Sequence, residues 1–404
     1  MDEEEPDFWS LHCEVFDPEV ERLIIVGVLG AAISIVSLVF NTFLFFVLLS
    51  NRRHRHSQFL YLIFLAFADI FISVAYLLLF PTLIYSDYFK WEWLAYAWFS
   101  YMRITITTSH LFISFSAFII VAAAFERYLS IYKSNVRFSQ KKRLIVLLIT
   151  FIFASIAKLP VYFEQEVIRN HNCTGPYTYT AVPTELSETD PYKTAYKFWY
   201  RNVTTIFLPF IILFCLNIGI IVRLRQQQVG AKLFRFATSE HRQNIRSITL
   251  LLVSVTFSYL ASNLLNVILY TWELIDKESL LDIEHRQYYT ISTDLVSVFT
   301  VLSSACRLPI YFICNARIRL EILARLGRFC FILPFKESLT GRNVGTAIDR
   351  VVLTVAVGKF GSERPPAFSL VPEIVICKTH SMLSYGVHEK EKSRTSQMAI
   401  TGNW

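Results

Sequence analysis

Four charged residues stand where the surrounding sequence offers no water. Asp69 lies in the apolar stretch LAFADIF, and Arg307 in the apolar stretch leading into LPIYF. Glu126 and Arg127 lie near the end of the run VAAAFERYLSIY and are followed by Tyr128. An ionised side chain at the centre of a bilayer helix costs about 2.5–3.5 kcal/mol on insertion scales, so each such residue calls for a partner and a function. A lone carboxylate at Asp69 is protonated, paired, or solvated by a water or ion pocket. Asn41, at a comparable depth in the first apolar block, is placed to hydrogen-bond it. Glu126 and Arg127 are adjacent and so lack the spacing of three or four residues that stabilises a helix. Two readings stand: boundary charges snorkelling to water, or a pair strong enough to hold and weak enough to open. None of this is bond-making chemistry. The sequence has no metal-ligating cluster, nucleotide-binding loop or nucleophile arrangement, so no catalysis, metal or cofactor is expected.

These residues are positioned by seven apolar blocks, roughly 23–49, 59–85, 97–124, 144–163, 199–222, 247–272 and 288–314. The chain of 404 residues is 54% hydrophobic. Its apolar excess falls in lengths that cross about 30 Å of hydrocarbon as helices, which argues against a soluble protein with buried helices. The first twenty residues are acidic and unlike a cleaved signal peptide. The segments after blocks one, three, five and seven carry clustered Arg and Lys, beginning with NRRHRHS, while the alternate segments lean acidic. Basic loops stay in the cytoplasm, which places the amino terminus outside. The net charge of +7 is split among short loops and marks topology; it does not imply nucleic acid. Of seven cysteines, only Cys13 and Cys173 fall on the expected outer face, where disulfides form. Asn172 heads a glycosylation sequon on that face.

The ordered pieces resemble a rhodopsin-like (class A) G-protein-coupled receptor over about residues 20–330. They are Asn41, LAFAD ending at Asp69, Trp91, ERY at 126–128, Pro160, Pro209, LPIYF at Tyr311, and the basic amphipathic segment that follows. The chain is most similar to invertebrate, especially nematode, FMRFamide-like neuropeptide receptors, on RLPIYFICNARIR and Asn217. The resemblance implies an all-α membrane protein: a seven-transmembrane helix bundle, amino terminus outside, with a short amphipathic helix after the seventh span. It divides the chain into an extracellular segment 1–22, a receptor domain 23–314, a juxtamembrane helix 315–330 and a largely disordered cytoplasmic tail 331–404. It implies a plasma-membrane receptor that binds an extracellular ligand, a short neuropeptide, and activates a heterotrimeric G protein. A chemosensory receptor for small molecules is the alternative; a transporter or channel is a second. Arrestin and a receptor kinase are implied at the tail, membrane lipid at the juxtamembrane helix, and palmitoylation at Cys330. Glu126, Arg127, Tyr128 and Tyr311 would form the G-protein switch, with Arg127 paired to the neighbouring acid until activation.

The departures from the family pattern are informative. Met102 stands where the family has the third-helix cysteine, so a Cys13–Cys173 bridge is a substitute; free thiols or intermolecular pairing are the alternatives. The sixth helix has FSYLASN, without the family Trp and Pro, and would stay straighter or bend at Ser258 or Ser262 by side-chain back-bonding. Arg307 falls where the family has Asn or Asp facing the second helix. It is expected to meet Asp69, in the place of a sodium ion, with Ser303 joining; snorkelling to headgroups is the alternative. Ser109 replaces the aspartate of amine receptors, which removes an aminergic ligand. Arg103, Thr107, His110, Lys158 and Asp294 are the polar groups of the outer half, with Glu164 and Glu166 among the loop acids. His110 reads equally as an interior histidine, and each loop acid as merely solvated. An acidic mouth would steer a cationic ligand, and a short amidated peptide with Arg next to Phe fits. Thr/Tyr alternation in GPYTYTAV suggests a strand of the hairpin that peptide receptors of this family carry.

Overall fold

The computed structural model describes residues 20–132, 138–169, 171, 173, 175–233, 239–275 and 283–332. Cys13, Asn172 and the tail from residue 333 lie outside the described residues, as does the side chain of Cys330. Seven described helices are long and apolar enough to cross a membrane. We label them α1 (Val20–Ser50), α2 (Phe59–Phe89), α3 (Glu92–Tyr132), α4 (Gln140–Phe163, its last turn 3-10), α5 (Tyr192–Gln226), α6 (Ser239–Ile275) and α7 (Ile283–Cys314). Several overrun the apolar blocks by a turn or more, because the backbone ladder does not stop at the edge of hydrocarbon. A further helix, α8 (Ala316–Ile332), follows at once; Asn315 caps it by accepting from the amides of Arg317 at 3.1 Å and Ile318 at 3.2 Å.

Burial differs between the spans. The most apolar window of α2 is 61% buried and that of α3 is 56%, against 22% for α4. Thus α2 and α3 form the interior of the bundle, and α4 rides on its edge. On α4 the most exposed residues include Ile145, Leu148, Ile149, Ile152 and Ile156, while Leu147, Ala154 and Ala157 face inward. Large apolar side chains turned outward at helical spacing form a lipid-facing stripe. The core joins Leu44, Leu65, Ile119, Leu213, Leu251, Val301 and Tyr311 from six spans.

Where α1 meets α2 the approach is close. Tyr76 and Tyr85 of α2 donate to the carbonyls of Val26 and Gly27 at 3.3 and 2.5 Å. A Cβ on Gly30 would lie 2.0 Å from the Tyr76 hydroxyl, so this contact depends on glycine. Pro81 leaves the Leu77 carbonyl without its helical donor, and Thr82 Oγ1 supplies one at 3.1 Å. α6 has no proline; it continues as α-helix, with Ser262 Oγ and Asn263 Nδ2 donating back to the Tyr259 carbonyl at 2.9 and 3.0 Å. Ser258 does not back-bond but meets Ser303 across the bundle at 3.3 Å.

Strands β1 (Gln165–Arg169) and β2 (Tyr179–Pro183) form an antiparallel hairpin between α4 and α5, with Val167 opposite Ala181. The residues Gly175–Thr178 make a 3-10 turn, so only the second half of GPYTYTAV is strand. The hairpin packs on α3 through apolar contact: Val167 and Ala181 lie against the buried cluster of Leu79, Trp98 and Met102. Met102, 1% exposed, thus fills with packing the place where the family carries a covalent tie. Cys173, before β2, is buried and disulfide-bonded.

Candidate functional site

Two polar assemblies and one cavity occupy the bundle interior. The first assembly is centred on Asp69. Arg307 of α7 pairs with its carboxylate, and both side chains are buried. Ser304 Oγ donates to Asp69 Oδ1 at 3.0 Å, and Arg307 Nη2 reaches Ser116 Oγ of α3 at 3.3 Å. Asn41 donates to the Ser304 carbonyl at 3.0 Å and the Ser37 carbonyl at 2.9 Å; it does not touch Asp69 itself. Ser73 closes the ring by donating to Ser37 Oγ and to the Asp69 carbonyl, both at 2.8 Å. The expected contact between Asp69 and Arg307 is therefore present, but the serine beside it is Ser304. Ser303, one residue earlier, points 100° away on the helix and faces Ser258 of α6. Four residues beyond Arg307, Tyr311 is fully buried, and its hydroxyl has no hydrogen-bond partner among the described residues.

The second assembly lies at the α8 end of the bundle. Here the structure corrects the expected pairing of Glu126 with Arg127. The Glu126 carboxylate is held by Arg143 at the start of α4, with contacts of 2.7, 3.0 and 3.1 Å. Arg143 also donates to the His56 carbonyl at 3.1 Å, which ties together α3, α4 and the turn before α2. Adjacent side chains diverge by about 100° around a helix, so Arg127 faces elsewhere. Its guanidinium crosses to α6, where Nε donates to Thr249 Oγ1 at 2.6 Å and Nη2 reaches the same oxygen. Tyr128 turns towards α5; a Cβ on Gly219 would come within 2.9 Å of its ring. It stacks on Tyr132, and the Arg223 guanidinium sits over the Tyr132 ring, 4.9 Å from its centroid.

The cavity, of about 480 Å³, opens at the hairpin end and is walled by α2, α3, α4, β1, α5, α6 and α7. Its apolar walls include Ile72, Phe80, Ile106, Ile206 and Leu269, and its polar groups include Ser109, His110, Lys158, Gln165, Asn263, Asn266 and Glu273. Of the seven polar residues singled out at the outer end, His110 and Lys158 line it. The others are engaged or turned away. Asp294 is gripped by Arg22 of α1, at 2.7 and 3.3 Å. Glu164 receives Arg201 and the Tyr192 hydroxyl and so braces the hairpin against α5. Arg103 donates to the Tyr162 carbonyl at 2.9 and 3.2 Å and lies over its ring. Thr107 bonds back to the Arg103 carbonyl at 2.8 Å. Glu166 is exposed on β1. Partners from other elements occupy Asp294, Glu164 and Arg103, the Thr107 hydroxyl is taken by its own helix, and Glu166 is exposed on the hairpin, so none of these five lines the cavity.

The residues of α6 that line the cavity include Asn263, Asn266, Tyr270 and Glu273. Their spacing of three, four and three residues is one helical face, a polar stripe within an apolar span. That spacing is legible in the sequence itself. A family model described as 7 transmembrane receptor (rhodopsin family) matches residues 40–312, more than half of the chain. No curated protein matches it.

Proposed function

Because the chain belongs to the rhodopsin family of seven-transmembrane receptors, we propose that it binds a short extracellular peptide and activates a heterotrimeric G protein. In this reading the hairpin end faces the outside and the end carrying Arg127 and α8 faces the cytoplasm. The observation that carries it is the pairing of features at opposite ends: a cavity of about 480 Å³ beneath a hairpin, and a buried arginine anchored on a second helix. A vestibule of this size with mixed aromatic and polar walls suits the end of a peptide. The resemblance of RLPIYFICNARIR and Asn217 to FMRFamide-like neuropeptide receptors favours a peptide, and Ser109 lines the cavity at the place where, by the same resemblance, amine receptors carry an aspartate. Glycosylation at Asn172, palmitoylation at Cys330, and recruitment of kinase and arrestin to the tail belong to the same proposal.

The test is a screen of short amidated and free-acid peptides on cells expressing the full chain, read as calcium or cAMP. A response that disappears with Arg127→Ala at unchanged surface expression is expected. Silence to every peptide, with a response to small odorant-like molecules, would overturn the peptide reading.

A separate prediction concerns the hairpin. We assign the partner of Cys173 to Cys13, the other cysteine expected on the same face. Removing a native disulfide typically costs about 2–5 kcal/mol. Cys13→Ser, Cys173→Ser and the double variant are each expected to lose surface receptor to a similar extent. A double variant that reaches the surface and responds like wild type would remove the pairing.

A further inference from the structure

The cavity contains a lysine side chain that no described residue pairs with. Lys158, at the end of the α-helical part of α4, is 7% exposed and lines the cavity together with His110 of α3. No ion pair or hydrogen bond holds its side chain among the described residues. The charges that act on it are Arg201 and Glu164, and these two are already paired with each other, with Tyr192 completing the carboxylate. Lys158 and Arg201 thus share the single acid Glu164, and Lys158 is the basic group left without a direct partner among the described residues. A buried, unpaired ammonium is costly, and the helix end that carries it offsets only part of that cost. Glu273 of α6 lines the same cavity from a different helix, also without an ion-pair or hydrogen-bond partner among the described residues, and close enough to Tyr270 and Tyr289 to act on both.

We propose that the cavity takes a bipolar ligand, whose acidic group seats on Lys158 beside His110 and whose cationic group seats on Glu273. This rests on the peptide reading and narrows it: the peptide carries an acid as well as a base. The acid is a terminal carboxylate or an acidic side chain, and both present the same oxygens to the ammonium. A charge-assisted hydrogen bond here distinguishes acid from amide by about tenfold in affinity or more.

The experiment uses the purified full chain in lipid nanodiscs and follows its thermal unfolding midpoint against peptide concentration. One matched pair is Arg-Phe as free acid and as amide. The other is Asp-Phe-Arg-amide and Asn-Phe-Arg-amide, which separates a side-chain acid from a terminal one. The acid member of at least one pair should raise the midpoint at about tenfold lower concentration than its neutral match. Lys158→Met should erase that difference, Lys158→Arg should retain it, and Glu273→Gln should weaken both members alike. The assignment is overturned if acid and neutral members act equally in both pairs, if the difference survives Lys158→Met, or if no member shifts the midpoint. Failure of the peptide reading is a different result: no peptide of any charge elicits signalling in cells, whatever the binding measurement gives.

Discussion

Replacing Asp69 by Asn destabilises the folded chain by about 3–5 kcal/mol, the cost of leaving one member of a buried ion pair behind. The substitution keeps the shape of the side chain and removes only its charge. Arg307 then remains at 4% exposure with Ser116 and neutral oxygens around it. Arg307→Met does the converse, leaving a carboxylate held by Ser304 alone. Each single variant should lower the unfolding midpoint in detergent and reduce surface receptor. The double variant Asp69→Leu/Arg307→Met should recover most of the loss, because an apolar pair of similar volume needs no compensation. The cycle measures the coupling directly. Midpoints that add as independent losses, or a single Asp69→Asn variant as stable as wild type, would show that the contact is not a coupled pair. The same geometry bears on ions: with Arg307 as the standing counter-ion of Asp69, sodium at constant ionic strength should leave ligand affinity unchanged.

Much of this arrangement was legible in the sequence, and the reason is depth. Hydropathy placed seven spans, and a span fixes how far along the membrane normal each residue lies. Asp69 and Arg307 were both deep, so their meeting followed from cost: two buried charges of opposite sign are less costly together. Azimuth was less legible. Which serine of α7 faces Asp69 depends on one 100° step, and Ser304 was passed over for Ser303. Lateral partners were not legible at all. Arg143 takes Glu126, Arg22 takes Asp294 and Arg201 takes Glu164, in each case from an element whose proximity only the assembled bundle determines. An acid that looks available to a ligand in sequence is thus often already occupied. The polar stripe on α6 is the exception. Its period is present in the sequence, but Asn263 falls within FSYLASN, which differs from the family motif, and Glu273 lies just past the sixth apolar block, so the face they share is masked by a motif boundary and a span boundary.

Those lateral partners lead to the second large effect, which concerns the link between α3 and α6. Thr249→Val should raise signalling in the absence of ligand, and Arg127→Ala should abolish signalling with it. In this structure Glu126 is fully engaged by Arg143, so it does not restrain its neighbour. The restraint on Arg127 includes the Thr249 hydroxyl, which accepts from the guanidinium at 2.6 Å. A hydrogen bond to a charged group contributes about 1.5–3 kcal/mol. Valine keeps the shape of threonine and cannot accept, so the closed arrangement loses that contribution while an arrangement with α6 moved away loses nothing. The ratio of closed to open then falls by about tenfold or more. If ligand-free nucleotide exchange on the G protein, normalised to surface receptor, does not rise in Thr249→Val, the hydroxyl does not restrain the switch. Arg143→Met supplies the contrast. It frees Glu126 to compete for Arg127 and should lower ligand-free exchange or leave it unchanged; a rise as large as that of Thr249→Val would move the restraint from α6 to the α3–α4 pair.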